Sequence, residues 1–363
     1  MNAVTLVMLV FSVLGGLDRI IGNRFGLGKE FERGLMLMGT MALSMIGMLI
    51  LAPVLADLMR PALQVMERIL PFDPSIVPAS LFANDMGGAP LSYEVAADPA
   101  VGAFNGLVVS TMMGCTVSFT VPFVLGAVEK DLQKQVLIGL LCGIVTIPVG
   151  CFVAGLVAGI PLLNLLLNLV PLTLFSGLIA FGLFKAPDLS VKIFHVLGML
   201  IKGLITLGLV IGIISFLSGR EILPGADQFE NAALVVLNAA AVMTGAFPLM
   251  FVVSKVLKRP LEALGKRIGI NAVAASGLFS TLASSMIAFP LLGKMDHKGV
   301  VLNSAFAVSA AFTFAGHLAY TLAIDPSYLL SMIVGKVLAG ILAVLLALLV
   351  YRRVYRDRSG EEN

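Results

Sequence analysis

The chain has 363 residues, 59% of them hydrophobic and only 12% charged, with a net charge of +3 and a mean hydropathy of +1.03. A soluble domain carries about twice that share of charge, so soluble enzymes and soluble nucleic-acid-binding folds are excluded. Apolar runs long enough to span a bilayer recur from end to end, which predicts an all-α polytopic membrane protein in contact with lipid along most of its length.

In chain order, the unbroken apolar segments cover about 2–22, 34–59, 102–127, 135–159, 161–184, 193–218, 231–257, 299–323 and 327–351. That makes about nine transmembrane helices. Residues 1–17 lack a basic leading region and read as an uncleaved first span. Two more segments, 69–93 and 268–293, are apolar but interrupted. The first contains Pro71, Pro74, Pro78, Gly87, Gly88 and Pro90 around Asn84 and Asp85. An unbroken helix does not pass through that composition.

Charge decides whether the interrupted segments cross or return. If both are re-entrant and the C-terminus is cytoplasmic, nineteen of the 24 Lys and Arg fall inside. Only Arg60, Arg68 and Arg220 then lie outside, with Lys202 and Lys336 within spans. If both cross, the basic loops divide about evenly. The positive-inside rule therefore selects nine spans plus two re-entrant broken hairpins, N-terminus out.

The two hairpins are also related in sequence. Met86, Pro90 and Leu91 recur 200 positions later as Met286, Pro290 and Leu291. Arg60-Pro61 recurs as Arg259-Pro260, Arg68-Ile69 as Arg267-Ile268, and Asn105 as Asn303. The chain thus divides into repeat one (1–159, hairpin 69–93), a connecting span (160–192), repeat two (193–351, hairpin 268–293) and a cytoplasmic tail (352–363). Four spans plus one is odd, so the second copy enters from the opposite face. Inverted-topology repeats place a substrate site at their interface near the membrane midplane.

Asp85 is the leading site residue. A carboxylate at membrane depth costs about 3 kcal/mol on insertion scales, and here it stands beside Asn84 and before Gly87 and Gly88, which let backbone approach a ligand closely. It is either the counter-charge for an amine or coupling ion, or a cap on the second half-helix. Ser284 and Ser285 occupy the matching tip, without charge. Asn105 and Asn303 either hold a substrate hydroxyl or tie the hairpin backbone. His317 is a proton relay or a neutral packing residue. Lys202 and Lys336 either snorkel or neutralise Asp85 when the site is empty. Glu94 and Lys294 lie at corresponding places on the return legs. Cys115, Cys142 and Cys151 have no metal-site spacing, His317 has no partner at ligand spacing, and no nucleophile elbow, phosphate loop or HExxH motif occurs. Neither metal nor cofactor is expected, nor a nucleic-acid partner, since topology accounts for the basic residues.

The stretches Asn84–Gly88, Gly143–Cys151, Asn303–Phe312, Met332–Lys336 and Met295-Asp296 followed by Gly299 resemble the ethanolamine transporter (EutH-type) family of bacterial ethanolamine-utilisation systems. The resemblance covers nearly the whole chain in order. The chain departs from the family pattern at Ser284 and Ser285, where asparagines are usual, and at Gly316, where an acid often precedes the histidine. The resemblance implies ethanolamine uptake across the inner (cytoplasmic) membrane of a bacterial cell. Protonated ethanolamine has an ammonium that suits Asp85 and a hydroxyl that suits Asn84, Ser284, Ser285 and Asn303. The alternatives are a transporter of another small amine or polar metabolite and, less favoured, an intramembrane enzyme built on Asp85 and His317. A homo-oligomer is compatible with the sequence, which does not specify one.

Overall fold

The structure, a computed structural model, describes residues 3–69 and 71–356. Residues 357–363 of the expected tail, with Arg358, lie outside the described residues. No strand occurs among the described residues. The helices are α1 (Ala3–Ile20), α2 (Leu27–Met36), α3 (Met38–Ile69), α4 (Ile76–Leu81), α5 (Gly88–Val95), α6 (Pro99–Phe104), α7 (Val121–Ala127), α8 (Gln133–Val157), α9 (Leu162–Lys185), α10 (Pro187–Ser218), α11 (Phe229–Ile268), α12 (Ala272–Ala283), α13 (Ser285–Ala288), α14 (His297–Ala310), α15 (Gly316–Ile324) and α16 (Leu329–Arg356). Between α6 and α7 the chain is π-helical over Asn105–Gly114 and Thr116–Thr120.

Seven helices among the described residues are long and apolar enough to cross a membrane. This is the polytopic all-α fold that composition predicts. The run Pro99–Gly126 is the most deeply buried of the seven, and α10 the least. The other two expected spans are α1 and the segment 299–323. That second segment is not one helix. It breaks between α14 and α15, where Phe312 has φ 61°. The sequence there, Ala311-Phe312-Thr313-Phe314-Ala315, holds no proline or glycine, so nothing local announces the break. The second hairpin imposes it: the Phe312 and Phe314 amides donate to the carbonyls of Thr281 and Leu282 at 3.2 and 2.9 Å. Tertiary hydrogen bonds replace the helical ladder, as irregular backbone at membrane depth requires.

Helix boundaries also run past the apolar limits. α11 continues through Pro260 to Ile268, 40 residues in all. The expected span 231–257 stops where Lys255, Lys258 and Arg259 end the apolar run, but charge ends the membrane face and not the helix.

Both interrupted segments are hairpins. In the first, Asp73 Oδ2 accepts from the amides of Ala97 and Asp98 at 3.0 and 2.9 Å. In the second, the Asn271 amide donates to Asp296 Oδ1 at 2.8 Å, and Asn271 Nδ2 to the Lys294 carbonyl at 3.0 Å. Each hairpin therefore leaves where it entered. Acids and amides also start the adjoining helices: Asp98 caps α6, Asn271 caps α12 and Asp296 caps α14. These caps satisfy amides that have no partner inside the helix.

The interior is built on α8, α14 and α16, which pack against one another and against the π-helical segment. Hydroxyls join them. Thr146 Oγ1 donates to the Ala339 carbonyl at 3.1 Å, Ser331 Oγ to Ala154 at 2.8 Å and Thr116 Oγ1 to Val308 at 3.1 Å. Small and hydroxyl residues take this role because apolar burial gives helices no preference for each other over lipid.

Candidate functional site

The first hairpin breaks at Phe82 and Ala83, makes a 3-10 turn over Asn84–Met86 and restarts at Gly88. Gly87 has φ 114°, and a Cβ there would stand 2.5 Å from Met48 Cγ, so only glycine fits. The break sits on the π-helical segment. The Ala83 amide donates to Ser118 Oγ at 3.0 Å, and a Cβ on Gly114 would lie 1.9 Å from the Phe82 carbonyl. The turn is thus pressed onto backbone on one side and presents Asp85 on the other.

The second hairpin breaks at Ser284, whose Oγ accepts from the Met286 amide at 3.3 Å and caps α13. The third break, after α14, adds His317 in the first turn of α15. Its ring lies 5.4 Å from that of Phe312, which meets Phe119 of the π-helical segment at 5.6 Å.

These three interruptions surround one cavity of about 380 Å³, within the range of small-molecule sites. Its polar lining includes Asp85, Ser284, His317, Tyr320, Thr40 and Ser44. Its apolar lining includes Met41, Met45, Met86, Met243, Phe119 and Phe312. Among the described residues Asp85 has no ion-pair partner. It does not cap α5, whose N-cap is Gly87 with no side-chain bond.

Residues 1–350 match the family described as "Ethanolamine utilisation protein, EutH". The chain belongs to the EutH family. A protein of Listeria monocytogenes named "Probable ethanolamine permease EutH" is 43% identical over 92% of this chain and 89% of its own length. The Escherichia coli protein of the same name is 34% identical over 92% of this chain and 91% of its own. A Bacillus subtilis relative, "Uncharacterized protein YxeR", is 36% identical over 93% and 92%. No solved structure matches the chain.

In this EutH-family chain, Asp85, Ser284 and His317 come together on the cavity. Asn84 and Ser285 do not line it. Both are fully buried, and the Asn84 amide atoms and Ser285 Oγ have no hydrogen-bond partner among the described residues. Gly87 and Gly88 shape the tip; the Gly88 amide donates to the Ala83 carbonyl at 2.8 Å.

Asn105 and Asn303 stand away from the cavity and tie the hairpins. Asn105 Nδ2 donates to Ser75 Oγ at 2.8 Å and to Asn168 Oδ1 at 3.3 Å, and its Oδ1 accepts from Asn168 Nδ2 at 2.7 Å. Asn303 Nδ2 donates to the carbonyls of Ala274 and Gly299 at 3.0 and 2.9 Å. Glu94, Lys294 and Lys202 are exposed, whereas Lys336 is buried, with its Nζ 2.7 Å from the Thr111 carbonyl.

Sequence reasoning missed Tyr320, Cys115, Phe119 and Phe312 on the lining. A tyrosine three residues after His317, on the same helical face, was the available signal.

Proposed function

We propose that this chain is a permease that takes up ethanolamine across the cytoplasmic membrane, with the substrate's ammonium held by Asp85. The observation that carries the reading is the unpaired carboxylate in a cavity bounded by both hairpin tips. Among the described residues it has no ion-pair partner, and an ammonium solute supplies one. Ser284, His317 and Tyr320 offer the hydroxyl and ring groups that suit the solute's other end, and methionines and phenylalanines suit its two methylenes. The names of the relatives support the same solute. The hairpins, each closed on itself, fit inverted repeats that enter from opposite faces, with the site between them.

The test is uptake of radiolabelled ethanolamine into proteoliposomes containing the purified protein. Saturable accumulation of the unchanged compound is expected. Its conversion to a new product would instead select an intramembrane enzyme using Asp85 and His317, and preference for a different small amine would replace the substrate.

A further inference from the structure

The cavity is larger and less polar than ethanolamine requires. A water molecule takes about 30 Å³ of liquid, so a solute of four non-hydrogen atoms fills on the order of 100 Å³. The cavity holds about 380 Å³. A primary ammonium brings three N–H donors, each of which needs an acceptor once it leaves water. Among the described residues, the lining has one carboxylate, Asp85, to set against them. The His317 ring and the hydroxyls of Thr40, Ser44, Ser284 and Tyr320 are the other oxygen and nitrogen groups. Most of the remaining wall is aromatic, thioether or aliphatic.

The rings of that wall form a built arrangement. Phe312 has φ 61°, an outlier for so bulky a side chain, and residues held in such conformations cluster at functional sites. At this break the Phe312 ring meets Phe119 edge-on, at 5.6 Å and 70°, and the His317 ring at 5.4 Å. Phe123, which is not part of the lining, stacks on Phe119 at 5.2 Å and 14° and holds it in place. Another ring of the wall, Phe247, already carries the Arg33 guanidinium 5.0 Å from its centroid. Among the described residues, no side-chain cation sits over Phe119 or Phe312. Two fixed rings without a cation therefore share a cavity with a carboxylate without a cation.

We propose that the site binds a class of solutes, ethanolamine and its N-methylated forms up to the quaternary ammonium, with Phe119 and Phe312 as the subsite for the N-methyl groups. The inference rests on the reading of Asp85 as the ammonium's counter-charge and deepens it. Each N-methyl removes one N–H donor that the cavity has to satisfy and adds an apolar group that the wall can bury. The positive charge stays, so Asp85 keeps its partner. Aromatic faces attract a cation through the ring quadrupole, and a quaternary ammonium, with no donors at all, is suited to such rings. A site built to hydrogen-bond every N–H of a primary ammonium would behave in the opposite way, rejecting an analogue without them by about 10⁴-fold. One carboxylate in a wide apolar cavity is not such a site.

The test is direct titration of the purified wild-type protein with ethanolamine, N-methylethanolamine, N,N-dimethylethanolamine and choline. Choline should bind as tightly as ethanolamine or at most about threefold more weakly, and a larger loss overturns the proposal. The uncharged isostere 3,3-dimethylbutan-1-ol, with carbon in place of nitrogen, should bind at least about tenfold more weakly than choline; binding equal to choline's overturns cation recognition. Phe119→Leu keeps an apolar side chain and removes the ring, so choline should lose about tenfold in affinity and ethanolamine about threefold or less. Phe119→Tyr keeps the ring and should keep choline binding. Equal losses of both ligands in Phe119→Leu overturn the ring's role, and the wild-type series decides even where a variant fails to fold. If neither ethanolamine nor choline binds, both readings fail. If ethanolamine binds and choline does not, only the methyl subsite fails. If choline alone binds, the ethanolamine reading fails and the subsite stands.

Discussion

Ser92 Oγ donates to the Ser75 carbonyl at 3.1 Å, joining the return leg of the first hairpin to the start of its entry leg. Residues 17 apart in sequence meet only if the chain turns back at its tip. A helix of that length rises about 25 Å at 1.5 Å per residue, which would separate them completely.

The topology prediction follows. In a background without Cys115, Cys142 and Cys151, single cysteines at Pro71 and Pro99 should label with a membrane-impermeant reagent from the outer side. Cysteines at Lys266 and Lys294 should label from the inner side. Labelling from opposite sides across either hairpin would refute re-entry, and labelling of both hairpins from one side would refute inversion of the repeats.

The reciprocal pair Asn105–Asn168 carries a stability prediction. Asn168→Ala leaves the buried Asn105 amide short of a donor and an acceptor. An orphaned buried polar group costs about 1–3 kcal/mol, so the variant should unfold at lower temperature in detergent. Its ethanolamine affinity should stay within about twofold, as a change of less than ~0.5 kcal/mol, because neither residue lines the cavity. A folded, equally stable variant with lost affinity would place Asn105 in the substrate site instead.

Gly87→Ala tests the tip. A left-handed backbone costs a non-glycine residue about 1–2 kcal/mol, and the new methyl would also collide with Met48. The double variant with Met48→Ala should recover the steric part and not the backbone part. Thermal stability and ethanolamine binding of the two variants separate these contributions. No loss in Gly87→Ala would mean that the tip adopts another conformation.

The parts of this architecture that were readable in the sequence are those with a chemical marker. Prolines and glycines announce the first hairpin, and Asp85 stands out because a carboxylate in an apolar run needs a reason. Asp85, Ser284 and His317 share one cavity although 232 positions separate the first from the last. The break at Ala311–Ala315 was unreadable because it is imposed by backbone carbonyls of another segment. The π-helical geometry of 105–120 likewise has no side-chain signature, and it aims Cys115 and Phe119 at the cavity. Asn84 and Asp85 are adjacent in sequence, yet one faces the interior and the other the cavity. A 3-10 turn sends successive side chains in different directions.

Ser284 makes a graded prediction. Its hydroxyl caps α13 and faces the cavity, so Ser284→Ala should weaken ethanolamine binding by about 1 kcal/mol, one neutral hydrogen bond, or roughly fivefold. Dissociation constants measured for both proteins check this, and an unchanged constant would confine Ser284 to the capping role.

The most direct test is equilibrium binding of radiolabelled ethanolamine to purified Asp85→Asn. The substitution keeps the shape of the tip and removes its charge. Among the described residues no ion-pair partner is left behind at Asp85, so the variant should fold and insert normally. Saturable binding should disappear, since the ammonium would face an uncharged amide in a cavity of low polarity. Binding by a well-folded Asp85→Asn within about twofold of wild type, a difference under ~0.5 kcal/mol, would contradict the assignment of Asp85 as the ammonium's counter-charge.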